Sequence, residues 1–141
     1  MNVEWGGTLQ YVLGTLSAMS DDNTDAARDL IEGLWAGHLS EADDHPAYWP
    51  SLHTFGLVRD AFPDLAVTIK RQFVDGDTVT TDFELSGTHT GALLGAEPTG
   101  RHLAWSVVYV DTFADGKVVV HASGDGWLDM LINIGALPPP G

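Results

Sequence analysis

The stretch Leu65–Leu85 reads LAVTIKRQFVDGDTVTTDFEL. Val67, Ile69 and Phe73 alternate with polar neighbours, Asp75-Gly76-Asp77 interrupts, and Val79, Phe83 and Leu85 alternate again. A period of two on both sides of a glycine-bearing break is a β-hairpin. A three-residue loop, Asp75 to Asp77, sets Phe73 opposite Val79, Ile69 opposite Phe83 and Val67 opposite Leu85. A two-residue loop would set Val67 against Glu84, so the hydrophobic pattern selects the longer loop.

Working outward, Gly91 to Gly100 reads as a glycine-rich loop with a turn at Pro98-Thr99-Gly100. Two further strands follow, Arg101 to Phe113 and Lys117 to about Gly124, joined around Asp115-Gly116 with Gly116 left-handed. The same loop geometry places Tyr109 opposite His121, Val107 opposite Ser123 and Trp105 opposite Asp125. A short helix from about Trp127 to Ile134 precedes Pro138-Pro139-Pro140. Upstream the period is helical. Trp5, Leu9, Val12, Leu13 and Leu16 form one stripe, and Ala27, Leu30, Ile31, Leu34 and Trp35 form a second. Asp21, Asp22 and Asp25 separate the two, with Thr24 as N-cap of the second helix. Ser51 is placed to cap a third helix carrying Leu52, Phe55, Val58 and Phe62, which must stop before Pro63. Helices first and an antiparallel meander afterwards define an α+β class, and 141 residues are the size of one domain.

Composition narrows the function. Asp and Glu number 20 against 6 Lys and Arg, a formal net charge of −14, which repels phosphate backbones and anionic lipid. Nucleic acid and membrane partners are therefore not expected. The uncharged run Trp5–Ser20 is shorter than a bilayer span and lacks the basic start of a secretory signal. With no cysteine, thiolate nucleophiles and disulfides are excluded, and a reducing cytoplasm is the expected compartment. His38, His45 and His53, with Asp43 and Asp44, fit no compact metal motif and read as a solvated acidic loop.

Several motifs stand in a familiar order: Phe62-Pro63-Asp64-Leu65, Gly87-Thr88-His89-Thr90-Gly91, Pro98-Thr99-Gly100-Arg101 with Trp105 following, Asp115-Gly116-Lys117-Val118-Val119, and Leu131–Gly135 before Ala136-Leu137-Pro138. From Asp25 to Pro138 the chain resembles the SnoaL-like polyketide cyclases of the nuclear transport factor 2 superfamily. Met1 to Ser20 would be an extra amino-terminal helix outside that match. The resemblance implies a conical barrel, a curved antiparallel sheet wrapped around amino-terminal helices, with a deep pocket for a polyketide-derived small molecule. It implies no cofactor and no metal. Its best-known members close a ring by an aldol step, using an Asp just after a His-Trp pair on the last strand and a His on the preceding strand. Here His121 is followed by Ala122, Ser123 stands in the aspartate's slot, and Tyr109 stands in the facing histidine's slot.

The candidate catalytic residues are thus Asp125, Tyr109, His121 and Ser123. Asp125 is one pleat beyond the family's position, and Tyr109 can donate a hydrogen bond to a developing oxyanion. Trp105, Trp35, Trp49, Phe83 and Val107 are candidates for the substrate-binding wall, and His89 reads as structural. Because a serine hydroxyl is too weak to replace the family's acid and base, a pericyclic Diels–Alder-type [4+2] closure, driven by holding the reacting carbons together, is the favoured expectation. The alternatives are an aldol-type cyclase or isomerase working through Asp125, and a non-catalytic binding protein of the same fold. An outward stripe of Ala104, Val108, Val110, Val118 and Val120 leads us to expect a homodimer through the outer sheet face.

Overall fold

Two residues, not three, close the first hairpin. In the computed structural model, which describes residues 21–139, β1 (Ala66–Asp75) and β2 (Thr78–Thr88) meet with Asp75 opposite Thr78, leaving Gly76 and Asp77 as the loop. A bulge at Lys70 then shifts the register between Ile69 and Arg71. The expected pairs Ile69–Phe83 and Val67–Leu85 are present, whereas Phe73 stands opposite Thr80 and is turned to solvent. The extra residue reverses which side chains face inward. Gln72 takes the inward position, and its amide nitrogen donates to the Thr24 carbonyl (3.1 Å) and to Thr81 Oγ1 (3.2 Å).

β3 (His102–Ala114) and β4 (Lys117–Asp125) complete a four-stranded antiparallel meander in the order β1-β2-β3-β4. Asp115 and Gly116, with φ of 52° and 76°, form the second two-residue loop, the left-handed pair that a tight hairpin requires. A second bulge, at Val119, corrects the expected register by two residues. Tyr109 pairs with Ser123, Val107 with Asp125, and His121 with Asp111. A slip of two preserves facing, so His121, Ser123 and Asp125 remain on the Tyr109 face. The bulge also corrects Val118, which lies in the core instead of on the outer face, while Val119 and Val120 are both exposed.

The helices cover the inner face of this curved sheet. Residues 21–35 form α1. Asp21 and Asp22 are already helical, so Thr24 lies within the helix and does not cap it; the Trp5–Leu16 stripe lies outside the described residues. The stripe from Ala27 to Trp35 is buried as expected. Gly37, with φ of 99°, ends the helix, and Arg59 Nη1 donates to the freed Trp35 carbonyl at 2.7 Å. Two 3-10 segments, Leu39–Ala42 and Pro46–Ser51, lead into α2 (Leu52–Ala61). Ser51 occupies the N-cap position of α2, but its hydroxyl makes no capping bond. The last described helix is α3 (Trp127–Asn133), whose final carbonyl accepts from Arg101 Nη1 at 2.8 Å. Among the described residues no helix is long and apolar enough to cross a membrane.

Two of the sequence motifs meet where α2 runs into the sheet. The Asp64 carboxylate accepts from the Thr88 backbone N–H (2.7 Å) and from Thr88 Oγ1 (2.8 Å). Those bonds hold its pKa below the ordinary carboxylate value. His89 is fully buried; its Nδ1 accepts from the Thr99 N–H at 3.1 Å, and its backbone brackets the loop through Gly100 and Arg101. Gly91 sits against the end of α2, where an added Cβ would stand 2.3 Å from the Asp60 carbonyl oxygen. Because that neighbour is backbone, it has no rotamer to escape through. Gly91→Ala is expected to cost about 1–3 kcal/mol, read as a lowered denaturant midpoint at unchanged slope.

Candidate functional site

Along β3 the inward positions run Trp105, Val107, Tyr109, Asp111 and Phe113, all buried. A carboxylate fourth in an otherwise apolar or aromatic file must be paired, because an isolated buried charge is prohibitively costly. Asp111 has two partners. Tyr48 Oη, from the second 3-10 segment, donates to Oδ2 at 2.6 Å, and His121 Nδ1, across on β4, lies 2.6 Å from Oδ1. A carboxylate only accepts, so this contact places a proton on Nδ1; in the neutral imidazole the lone pair is then on Nε2. The ring is further held by Tyr48 at 4.2 Å and, edge-on, by Tyr109 at 4.6 Å between centroids.

His121 borders an open cavity of about 220 Å³. Tyr109, Ser123 and Asp125 share that wall, so the four candidate catalytic side chains are brought together by β3 and the bulged β4. Trp35, Ser51, Thr54 and Phe55 form the helical side, and Trp127 closes one end. Burial, reinforced by the fields of Asp111 and Asp125, pushes the Tyr109 hydroxyl well above its ordinary pKa, so it is a donor and not a base. Burial and the adjacent Asp111 push Tyr48 up in the same way. Asp125 is raised by partial burial, an effect offset in part by the side-chain and backbone N–H groups of Trp127. The Trp35 indole nitrogen is buried without a partner at full hydrogen-bonding geometry, and its interaction with the Tyr109 hydroxyl offsets part of that group's rise.

The remaining expected wall residues stand elsewhere. Trp105 packs between Phe62 and Trp127 in the core, at 5.1 and 5.8 Å. Phe83 and Val107 are buried behind Tyr109, with Phe83 edge-on to its ring at 4.9 Å. Trp49 is on the surface, its indole N–H given to the Ala42 carbonyl at 2.9 Å. None of these four borders the cavity. Sequence reasoning missed Asp111, although its inward parity in an apolar strand marked it. Of the histidines in the acidic loop, His45 accepts the Val118 N–H on Nδ1 at 3.0 Å, and burial lowers its pKa. Among the described residues no three metal-ligating side chains converge.

The helices, curved sheet and polar-tipped cavity define a small-molecule-binding α+β protein. The chain belongs to the SnoaL-like polyketide cyclase family, whose model matches residues 13–129. No curated protein matches it at the level of sequence. Among solved structures it is similar to AclR from Streptomyces galilaeus, provisionally a hydroxylase, with 23% identity, TM-score 0.77 and 86% of each chain covered. It is also similar to a protein from Jannaschia sp. CCS1 provisionally assigned as a SnoaL-like polyketide cyclase (21% identity, TM-score 0.73, 86% of this chain and 96% of that one). IdmH from Streptomyces antibioticus, provisionally a polyketide cyclase, is a third (23%, TM-score 0.66, 80% and 98%). At these identities the likeness is one of fold.

Asp111→Asn tests the dyad. An amide must offer N–H to Tyr48 or to His121, so either a buried donor is stranded or the His121 proton moves to Nε2. We expect a loss of about 2 kcal/mol in stability, the worth of a hydrogen bond to a charged group. The ¹⁵N shifts of His121 should exchange their pattern, reporting the tautomer change.

Proposed function

We propose that the protein closes a ring on a polyketide-derived carbonyl compound by acid–base chemistry of the aldol type. The observation that carries this reading is the Asp111–His121 pair at 2.6 Å, with the remaining imidazole nitrogen on a ring that borders the cavity. His121 Nε2 takes the proton next to the substrate carbonyl. The enolate carbon then forms the new bond to a second carbonyl carbon, and the resulting alkoxide takes the proton back from the imidazolium. The step is redox-neutral, and protons balance within the pair. Asp111 acts as a positioning residue, setting the tautomer and stabilising the imidazolium. Trp35 and Tyr109 supply the donors for the oxyanion. Asp125, at the open end, is the second carboxylate available to relay a proton.

This reverses the preference that the sequence suggested. Pericyclic closure was favoured because Ser123 and Tyr109 left no base on the expected positions; His121, backed by a carboxylate two residues beyond Tyr109, supplies one. The test uses 1-tetralone, a slowly exchanging ketone, in D₂O, with binding monitored through indole N–H resonances. Wild-type protein is expected to speed deuterium entry beside the carbonyl. His121→Asn should lose about two to four powers of ten in that rate, and Trp35→Phe about two powers of ten. A bound ketone exchanging no faster than in buffer would return the pericyclic reading to first place.

Self-association through the outer sheet face belongs to the same proposal. Phe73, Val119 and Val120 are exposed there, with Ala104 exposed, Val108 and Val110 half-buried, and the Arg71–Asp82 and Lys70–Glu84 pairs beside them, a mixed face for a two-fold contact. Light scattering is expected to give twice the chain mass, and a monomer at micromolar concentration would remove the claim.

A further inference from the structure

A second cavity of about 220 Å³ adjoins the first, and the two share Thr54 and Trp127 as a common wall. Its other lining residues are Leu57, Val58, Leu93, Leu94 and Leu131, with no ionisable group among them. Chemistry-bearing side chains therefore stop at the Thr54–Trp127 boundary, and a purely apolar annex begins. Leu94 makes the annex unusual. It occupies the first central position of a two-residue turn closed by mutual Leu93–Ala96 hydrogen bonds (3.1 and 2.8 Å), with a φ of 48°. Such positions favour Asn or Gly and disfavour leucine. The side chain is 66% exposed, and its neighbour across the groove, Leu57, is 38% exposed. Folding gains little from a leucine that strains its backbone and stays in water.

We propose that the annex holds an apolar hydrocarbon arm of the substrate, whose carbonyl end lies at His121 and Tyr109. The inference rests on the acid–base reading for the carbonyl end and extends it to a substrate class: a carbonyl compound carrying a linear alkyl or polyene tail. The arm crosses the Thr54–Trp127 boundary and covers Leu57, Leu93, Leu94 and Leu131. Continuity with the reactive chamber selects this occupant, because a ligand seated in one cavity touches residues of the other.

The experiment is a ladder of methyl ketones, 2-hexanone, 2-octanone and 2-decanone, titrated into the full chain with the Trp127 indole N–H resonance as readout. In wild type, Kd is expected to fall about fourfold per added methylene, the transfer value for a buried CH₂ group. Leu94→Asn combined with Leu57→Ser should flatten the ladder while leaving the 2-hexanone Kd within about twofold. Asn suits the positive φ, so the melting temperature should not fall. A flat wild-type ladder, or a steep one that survives both substitutions, overturns the proposal. A flat ladder with substitutions that turn a dimer into a monomer overturns it in favour of a second copy as occupant. The two readings separate in the wild type: a steep ladder without ketone exchange rejects the acid–base chemistry and keeps the annex.

Discussion

The Asp111 carboxylate has no exposed surface, yet it joins the β3–β4 hairpin to the 3-10 segment that carries Tyr48, 63 residues upstream. Removing such a charge from water costs several kcal/mol even after the protein relaxes. The cost is offset only when both oxygens are taken up with good geometry, and here Tyr48 takes one and His121 the other. Satisfying the charge therefore dictates where Pro46–Ser51 lies against the sheet and which way the His121 ring turns. Breaking either partner strands a buried charge, so the helical layer, β3 and β4 are locked in one relative placement. The side chain that orients the imidazole is the one that docks the layers, so one residue sets both the packing and the ring's orientation.

The bulge at Val119 is the second constraint, and it acts on phase. Val118 points into the core; in a regular strand Val120 and Ala122 would follow it inward, and His121 would face solvent. One extra residue reverses the alternation, so His121, Ser123 and Asp125 reach the cavity while Val119 and Val120 are both exposed. The Lys70 bulge does the same on β1, exchanging Phe73 for Gln72 at the inward position. Both bulges stand near tight two-residue turns. A short loop sets one phase and the core demands the other, and the bulge reconciles them.

That pairing of turn and bulge explains what was legible in the sequence. Hydrophobic alternation placed the strands, and the α1 stripe and the stop at Pro63 placed the helices, because burial dominates those choices. Val67–Leu85 came out right although the loop length was wrong: a three-residue loop and a two-residue loop plus bulge give the same register beyond the bulge. For the second hairpin a similar bulge, added to a two-residue turn, moved His121 from Tyr109 to Asp111. Alternation is blind to a shift of two. Facing was therefore recoverable and partner identity was not, which is why His121 was picked out while Asp111 was missed. The wall residues failed for another reason. Trp105, Phe83 and Val107 do face inward, but facing inward does not distinguish a filled core from a cavity, and the packing of Phe62, Tyr109 and Trp127 decides that.

The departures from the family pattern at Ser123 and Tyr109 take on a different meaning in this geometry. With Tyr109 beside the His121 ring and Asp111 one pleat further along β3, the base and its orienting carboxylate face each other across the β3–β4 pair. Tyr109 is too weak an acid to ionise in its buried place, so its hydroxyl is a neutral donor. A neutral donor next to the imidazole does not compete for the proton, whereas a second histidine there would share it and repel the imidazolium. The Trp35 N–H is likewise a donor that never accepts. On the acid–base reading proposed above, one base among neutral donors, with carboxylates behind it and at the mouth, is the arrangement that removal of a proton from carbon and stabilisation of the resulting oxyanion would use.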